Sequence, residues 1–294
     1  METDAFTIWD ECLGKEWKAI EKREQRWPLA LQGKDSAWKG MLEEKVPPKV
    51  SRGLEAAFCN AFALVFEKGT GIIEKSYDSA DLRQAYIRRE EGVRQTMDRR
   101  SLRRVQGEAR TGESRNLLLT TVEGIGLGAL GIGLPDIVLF VGMLLKGIYE
   151  TALRYGFSYD TPEERLWILK AMEASLTKGS GWLERNQAVD QIMAGSVVPD
   201  QEALKRQRDR TAQTFAMDML LLKFVQGLPL VGVQVCERVY YRRVLRYVAL
   251  KHRKRYLFQK REELRNERIY FAPGRPRGTD ARPHTVCLGC SVLI

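Results

Sequence analysis

The sequence predicts an all-α fold: a compact multi-helix bundle built around two apolar helical hairpins, each broken at a Gly-Leu-Pro step. Three observations carry this prediction. Apolar residues recur at helical spacing along most of the chain, no segment alternates apolar and polar residues over a strand's length, and the apolar residues are gathered into two blocks. At 294 residues, with 44% hydrophobic and 29% charged residues, the chain has the composition of a globular protein and can bury a substantial core.

An N-terminal helical arm is expected over 1–46. It holds Trp9, Trp17, Trp27 and Trp38, with helical character up to Pro28. Four tryptophans in a polar segment need a surface, and the expectation is that they clamp the arm onto the core rather than lie at a membrane interface. A helical domain over 47–270 follows. After Pro47 and Pro48, the residues Val50, Leu54, Phe58, Phe62, Val65 and Phe66 form the aromatic face of a helix that Gly69 and Gly71 punctuate. From Asp81 to Arg115, Leu82, Tyr86, Val93 and Met97 share one side of a run with ten arginines and six acidic residues, which reads as a solvated face.

The first apolar block is Leu117 to Leu145, 29 residues with only Glu123 and Asp136 charged and six glycines. Gly133-Leu134-Pro135 breaks it, as Gly227-Leu228-Pro229 breaks the second block from Phe215 to Val235. Proline cannot continue a helical hydrogen-bond ladder but can open a new helix, so each block reads as two helical segments. Gly124 and Gly128 have the four-residue spacing that lets helices approach closely.

Between the blocks, Gly156 is placed to cap a helix C-terminus, and Thr161-Pro162-Glu163-Glu164 opens a helix that runs to Leu176. Gly179 and Gly181 interrupt the pattern before Leu204, Thr211, Phe215, Met219 and Leu222 resume it. A long final helix is expected from about Val233 to the region of Glu267. Arg238, Arg242 and Arg246 form one stripe of it, while Cys236, Tyr240, Val244 and Tyr247 occupy another face. Twelve lysines and arginines stand against four glutamates between Cys236 and Arg268, so most of the net charge of +10 lies here. A tail over 271–294, with Pro273, Pro276 and Pro283, is expected to be disordered.

No catalytic signature accompanies these elements. Gly126-x-Gly128-x-x-Gly131 matches the dinucleotide fingerprint in form only, because Pro135 would break the helix that must follow and no βαβ pattern surrounds it. A straight membrane span of ~20 residues is interrupted by Pro135 and Asp136. Five scattered cysteines read as reduced thiols, and Cys287 and Cys290 form a lone CxxC. His252 and His284 lie among basic residues and are expected to be solvated. No metal and no cofactor is expected.

The block from Val122 to Arg165, with its glycines, Pro-Asp step and Tyr-Gly-Phe step, and the later KFVQGLPLVGVQVCERVYYRRVLRYVALKHRKRYL resemble the EcsC protein family. With VPPKVSRGLEAAFCNAFALVFEKGTGIIEK, the resemblance spans roughly Trp9 to Leu257. It implies a helical intracellular protein with a membrane connection, and the family takes its name from a gene beside those of an ABC transporter. It supplies no catalytic residues.

The expectation is therefore a non-enzymatic protein of the cytoplasm, peripheral at the inner face of the membrane. Its expected partner is an anionic membrane surface or a membrane complex such as an ABC transporter. Hairpin or membrane packing falls to Gly124, Gly128, Gly133, Leu134, Pro135, Gly227, Leu228 and Pro229. Contact with an anionic surface falls to Arg238, Arg242, Arg243 and Arg246. One alternative is an enzyme with a polar pocket of Glu123, Asp136, Lys146 and Glu150 between the hairpins. A second is nucleic-acid binding by the basic helix, the less favoured partner.

Overall fold

Phe58, Phe140 and Phe215 come from three helices and meet at the centre of the bundle, with ring centroids 5.8 to 6.5 Å apart. In this computed structural model, residues 2–30, 46–105, 107, 135–179, 181–193, 198–225 and 234–270 are described, and no strand occurs among them. The helices are α1 (Glu2–Ala30), α2 (Pro48–Glu74), α3 (Ser79–Thr96), α4 (99–105), α5 (Pro135–Arg154), α6 (Pro162–Leu176), α7 (Gly181–Met193), α8 (Gln201–Val225) and α9 (Gln234–Tyr270).

Local chemistry sets most of the boundaries. The Asp78 carboxylate caps α3 by accepting from Asp81 N at 2.9 Å, and Thr161 caps α6 ahead of Pro162. Gly156 ends the α5 turn at φ +78°, a conformation that favours glycine. Gly69 and Gly71 do not end α2. The helix instead widens into one π turn over Val65–Gly69 and continues to Glu74. Likewise α1 runs two residues past Pro28.

Trp9, Leu13 and Ile20 of α1 are buried in the same apolar cluster as α5, and Trp17 and Trp27 pack against it. The tryptophans do clamp α1 to the core; Trp38 lies outside the described residues. Among the described residues one helix, Pro48–Glu74, is long and apolar enough to cross a membrane, but protein already covers its Phe58, Phe62 and Val65.

Side-chain contacts fix the helix directions. Phe58 of α2 and Ser76, just past its C-terminus, meet Phe140 and Lys146 of α5, so these helices run together. Gly147 of α5 and Tyr155, just past its C-terminus, adjoin Leu245 and Tyr256 of α9, again in parallel. α8 runs against α2, since Phe215 stacks on Phe58 whereas Arg208 reaches Glu67. α1 runs against α9, with Glu16 at Arg253 and Trp27 at Tyr247. One end of the bundle therefore gathers Ala30, Val46, Pro135, Val225 and Gln234.

Of the two expected hairpins, the described parts are α5 and the antiparallel pair α8 and α9, joined where Tyr240 donates to Asp218 O at 2.7 Å. Both Gly-Leu-Pro breaks, apart from Pro135 at the head of α5, lie outside the described residues.

Candidate functional site: a buried charge lattice on the last helix

Although α9 is the most basic element of the chain, its stretch from Lys251 to Lys260 is turned inward. Lys251 and His252 are 0% exposed, and Arg253, Lys254 and Lys260 are also buried. An unpaired buried charge is costly, so each cation must find a carboxylate. Lys251 Nζ donates to Glu24 of α1 and Asp190 of α7 at 2.6 and 2.7 Å, and Lys254 Nζ donates to the other oxygen of each at 2.6 and 2.7 Å. The result is a closed square of two ammonium groups and two carboxylates. Burial pulls Lys251 below its ordinary value against the attraction of Glu24 and Asp190. For Lys254, burial also pulls down, but its bonds to Asp190 and Glu24 win and hold it above.

The other cations are satisfied in the same way. Arg255 grips Glu164 with two bonds of 2.8 and 2.6 Å and lies 4.2 Å from the Phe157 ring centroid. Glu90 of α3 accepts from Lys260 and from Tyr256 at 2.9 Å. Glu16 of α1 takes Arg99 at 2.5 Å, Arg103 at 3.0 Å and Arg253. Burial pushes the Glu16 carboxyl up, but the Arg99 bond and the Arg253 and Arg103 charges outweigh it and hold it below its ordinary value.

The expectation that His252 is solvated is wrong. Its ring is enclosed by Trp167, Phe157 and Tyr155, with centroids at 4.3, 5.3 and 6.2 Å, and neither nitrogen has a hydrogen-bond partner. The basic neighbours that suggested a surface, Lys251 and Arg253, point into the lattice instead.

The expected polar cluster is brought together only in part. Lys146 Nζ donates to Ser76 O at 3.0 Å, and buried Glu150 lies 3.5 Å from Arg154, so this stripe faces the junction of α2 and α3. Beside it, Tyr77 donates to Tyr159 at 3.0 Å and Tyr159 to Glu74 at 2.8 Å, while the Tyr159 ring stacks on Tyr149. Burial, against the Tyr159 bond, pushes Tyr77 up to about 12. Glu123 and the side chain of Asp136 lie outside the described residues, as do Gly124, Gly128, Gly133, Leu134, Gly227, Leu228, Pro229 and the Arg238 side chain. Arg242 and Arg246 are exposed. Arg243 does not join them, because it turns inward to Asp218 at 3.0 Å, which also holds Lys178 at 2.8 Å.

The basic run by itself does not show the lattice. Its counterpart is visible on α1, where Leu13, Glu16, Ile20, Glu24 and Trp27 share one helical face. Two glutamates on an apolar stripe announce buried cations elsewhere.

The sequence model of the EcsC protein family matches residues 14–257. The chain belongs to the EcsC protein family. The EcsC segment begins just before Glu16 and ends just beyond Lys254 and Arg255, so it encloses the square, the Glu16 node and both Gly-Leu-Pro steps, and leaves out Lys260 and the tail. No curated protein and no solved structure matches this EcsC chain.

Proposed function

We propose that this EcsC protein is non-enzymatic and attaches peripherally to a membrane or a membrane transport complex, by the end of the bundle where α5 and α9 begin. The helix directions carry this reading. Residues 117–134 lead into Pro135, and 226–233 join Val225 to Gln234, so both apolar Gly-Leu-Pro sequences adjoin the same end.

Charge supports the same end. Lys251, Arg253, Lys254 and Lys260 are taken up inside, whereas Arg242 and Arg246 in the first half of α9 are exposed, as are Lys49 and Arg52 in the first turns of α2. Each cation near an anionic leaflet contributes about 1 kcal/mol.

Flotation with neutral and anionic liposomes tests the reading. The expected result is recovery with anionic vesicles that weakens as salt rises. Equal recovery in the soluble fraction with and without anionic vesicles would overturn it.

A further inference from the structure

The ion pairs of the bundle are balanced at most of their nodes. Glu24 and Asp190 face Lys251 and Lys254, Glu164 faces Arg255, and Glu90 with Glu263 face Lys260 and Arg94. Asp218 carries one cation in excess, holding Lys178 and Arg243. Glu16 carries two, since Arg99, Arg103 and Arg253 all converge on its single carboxylate.

Among the described residues the excess is not relieved nearby. Arg23 adds further positive charge, and Asp98, beside Arg99, is spent capping α4 through a 2.7 Å bond from Ser101 N. Arg253 is 5% exposed, and its Nη1 is buried without a partner. Burial, against the opposing charges of Glu16 and then Tyr155, draws this guanidinium down to about 10. Arg99 and Arg103 engage Glu16 through Nε alone, and their side chains are 40% and 57% exposed.

We infer that the Glu16 node is an oxyanion site that takes a phosphate group, held by the Nη donors of Arg99 and Arg103 over the buried charge of Arg253. The guanidinium fork matches two phosphate oxygens at once, and a dianionic phosphate cancels the two excess charges. Arg253 lies roughly 28 Å along α9 from Gln234 at ~1.5 Å per residue. The site is therefore remote from the proposed attachment end and stands independently of it. Its phosphate belongs to a soluble ligand or to a phosphomonoester headgroup.

Thermal unfolding of the full chain in inorganic phosphate, against chloride at equal ionic strength, tests this. Arg99→Gln/Arg103→Gln is compared with Arg100→Gln/Arg104→Gln, which removes the same charge from exposed neighbours. Phosphate at about ten times Kd is expected to raise the Tm of wild type and of the second variant by about 3 °C, and to leave the first unchanged. Should the first variant be unfolded, Arg103→Gln alone gives the same reading. Flotation on phosphatidic-acid against phosphatidylglycerol vesicles then separates the sources: Arg103-dependent capture by the former assigns a headgroup, and no preference assigns a soluble ligand. No phosphate-over-chloride shift in wild type, or an equal shift in all variants, would overturn the site.

Discussion

Lys251 Nζ lies 2.6 Å from Glu24 Oε1, across 227 positions of sequence, and both side chains are buried. This contact ties the first helix to the last at a point where neither can leave without stranding a charge. Apolar packing of Trp9, Leu13 and Ile20 holds α1 in place, and the square with Asp190 and Lys254 fixes its register.

Glu24→Gln leaves two buried ammonium groups facing Asp190 alone. A broken buried pair costs about 3 kcal/mol or more, so the midpoint of chemical denaturation should fall accordingly. Adding Lys251→Met restores one cation to one carboxylate and should recover part of the loss. Equal stability of the single and double variants would refute the closed square.

His252 gives the bundle a pH dependence. Burial first, and the Arg255 charge second, hold its imidazole well below the ordinary 6.5. The unfolded chain therefore takes up a proton that the folded chain refuses, so stability is retained above about pH 6.5 and falls as pH drops below it. The loss through this group should grow by about 1.4 kcal/mol for each pH unit below about 6.5, down to the folded-state value. His252→Phe suits the aromatic box of Trp167, Phe157 and Tyr155 and should remove that part of the acid sensitivity. The same fall in both proteins between about pH 7.5 and pH 5 would contradict the assignment.

These residues also mark what could be read from the sequence. The caps at Thr161 and Gly156, the aromatic face of α2 and the core positions Thr211, Phe215 and Met219 follow from local rules, because spacing and backbone preference act within a few residues. The charge lattice joins α1, α3, α6, α7 and α9, and no local pattern pairs Glu24 with Lys251. Arg243 differs from Arg242 only by the 100° that one helical residue turns, which is enough to point it at Asp218 rather than at solvent. Composition counted both as surface.

Gly156 is a second place where local and long-range demands coincide. Its φ of +78° disfavours any side chain, and a Cβ there would lie 2.3 Å from the Tyr86 ring of α3. Gly156→Ala should cost about 1–2 kcal/mol for the backbone and about 1–3 kcal/mol for overpacking. Trimming the ring with Tyr86→Ala relieves only the second part. The double variant should therefore be less destabilised than the sum of the singles by about 1 kcal/mol or more, and strict additivity in urea unfolding would show that the ring is not the obstacle.

Arg242, Arg243 and Arg246 of α9 should separate by function. Arg242 and Arg246 are exposed and without an ion pair among the described residues, so Arg242→Ala/Arg246→Ala should leave stability within about 0.5 kcal/mol per site. Arg243→Ala removes one of the two cations on Asp218, a partly buried carboxylate, and should cost about 1 kcal/mol in denaturation. On anionic vesicles the order reverses. The Arg242/Arg246 pair should lose about 1 kcal/mol of binding per charge, close to thirtyfold together, while Arg243→Ala binds as wild type. Salt should erase the difference, since exposed charges are screened within about 10 Å at 0.1 M ionic strength. Vesicle binding that depends on Arg243 and not on Arg242 and Arg246 would mean that the inward pair with Asp218 opens at the membrane, and the assignment of the exposed face would fall with it.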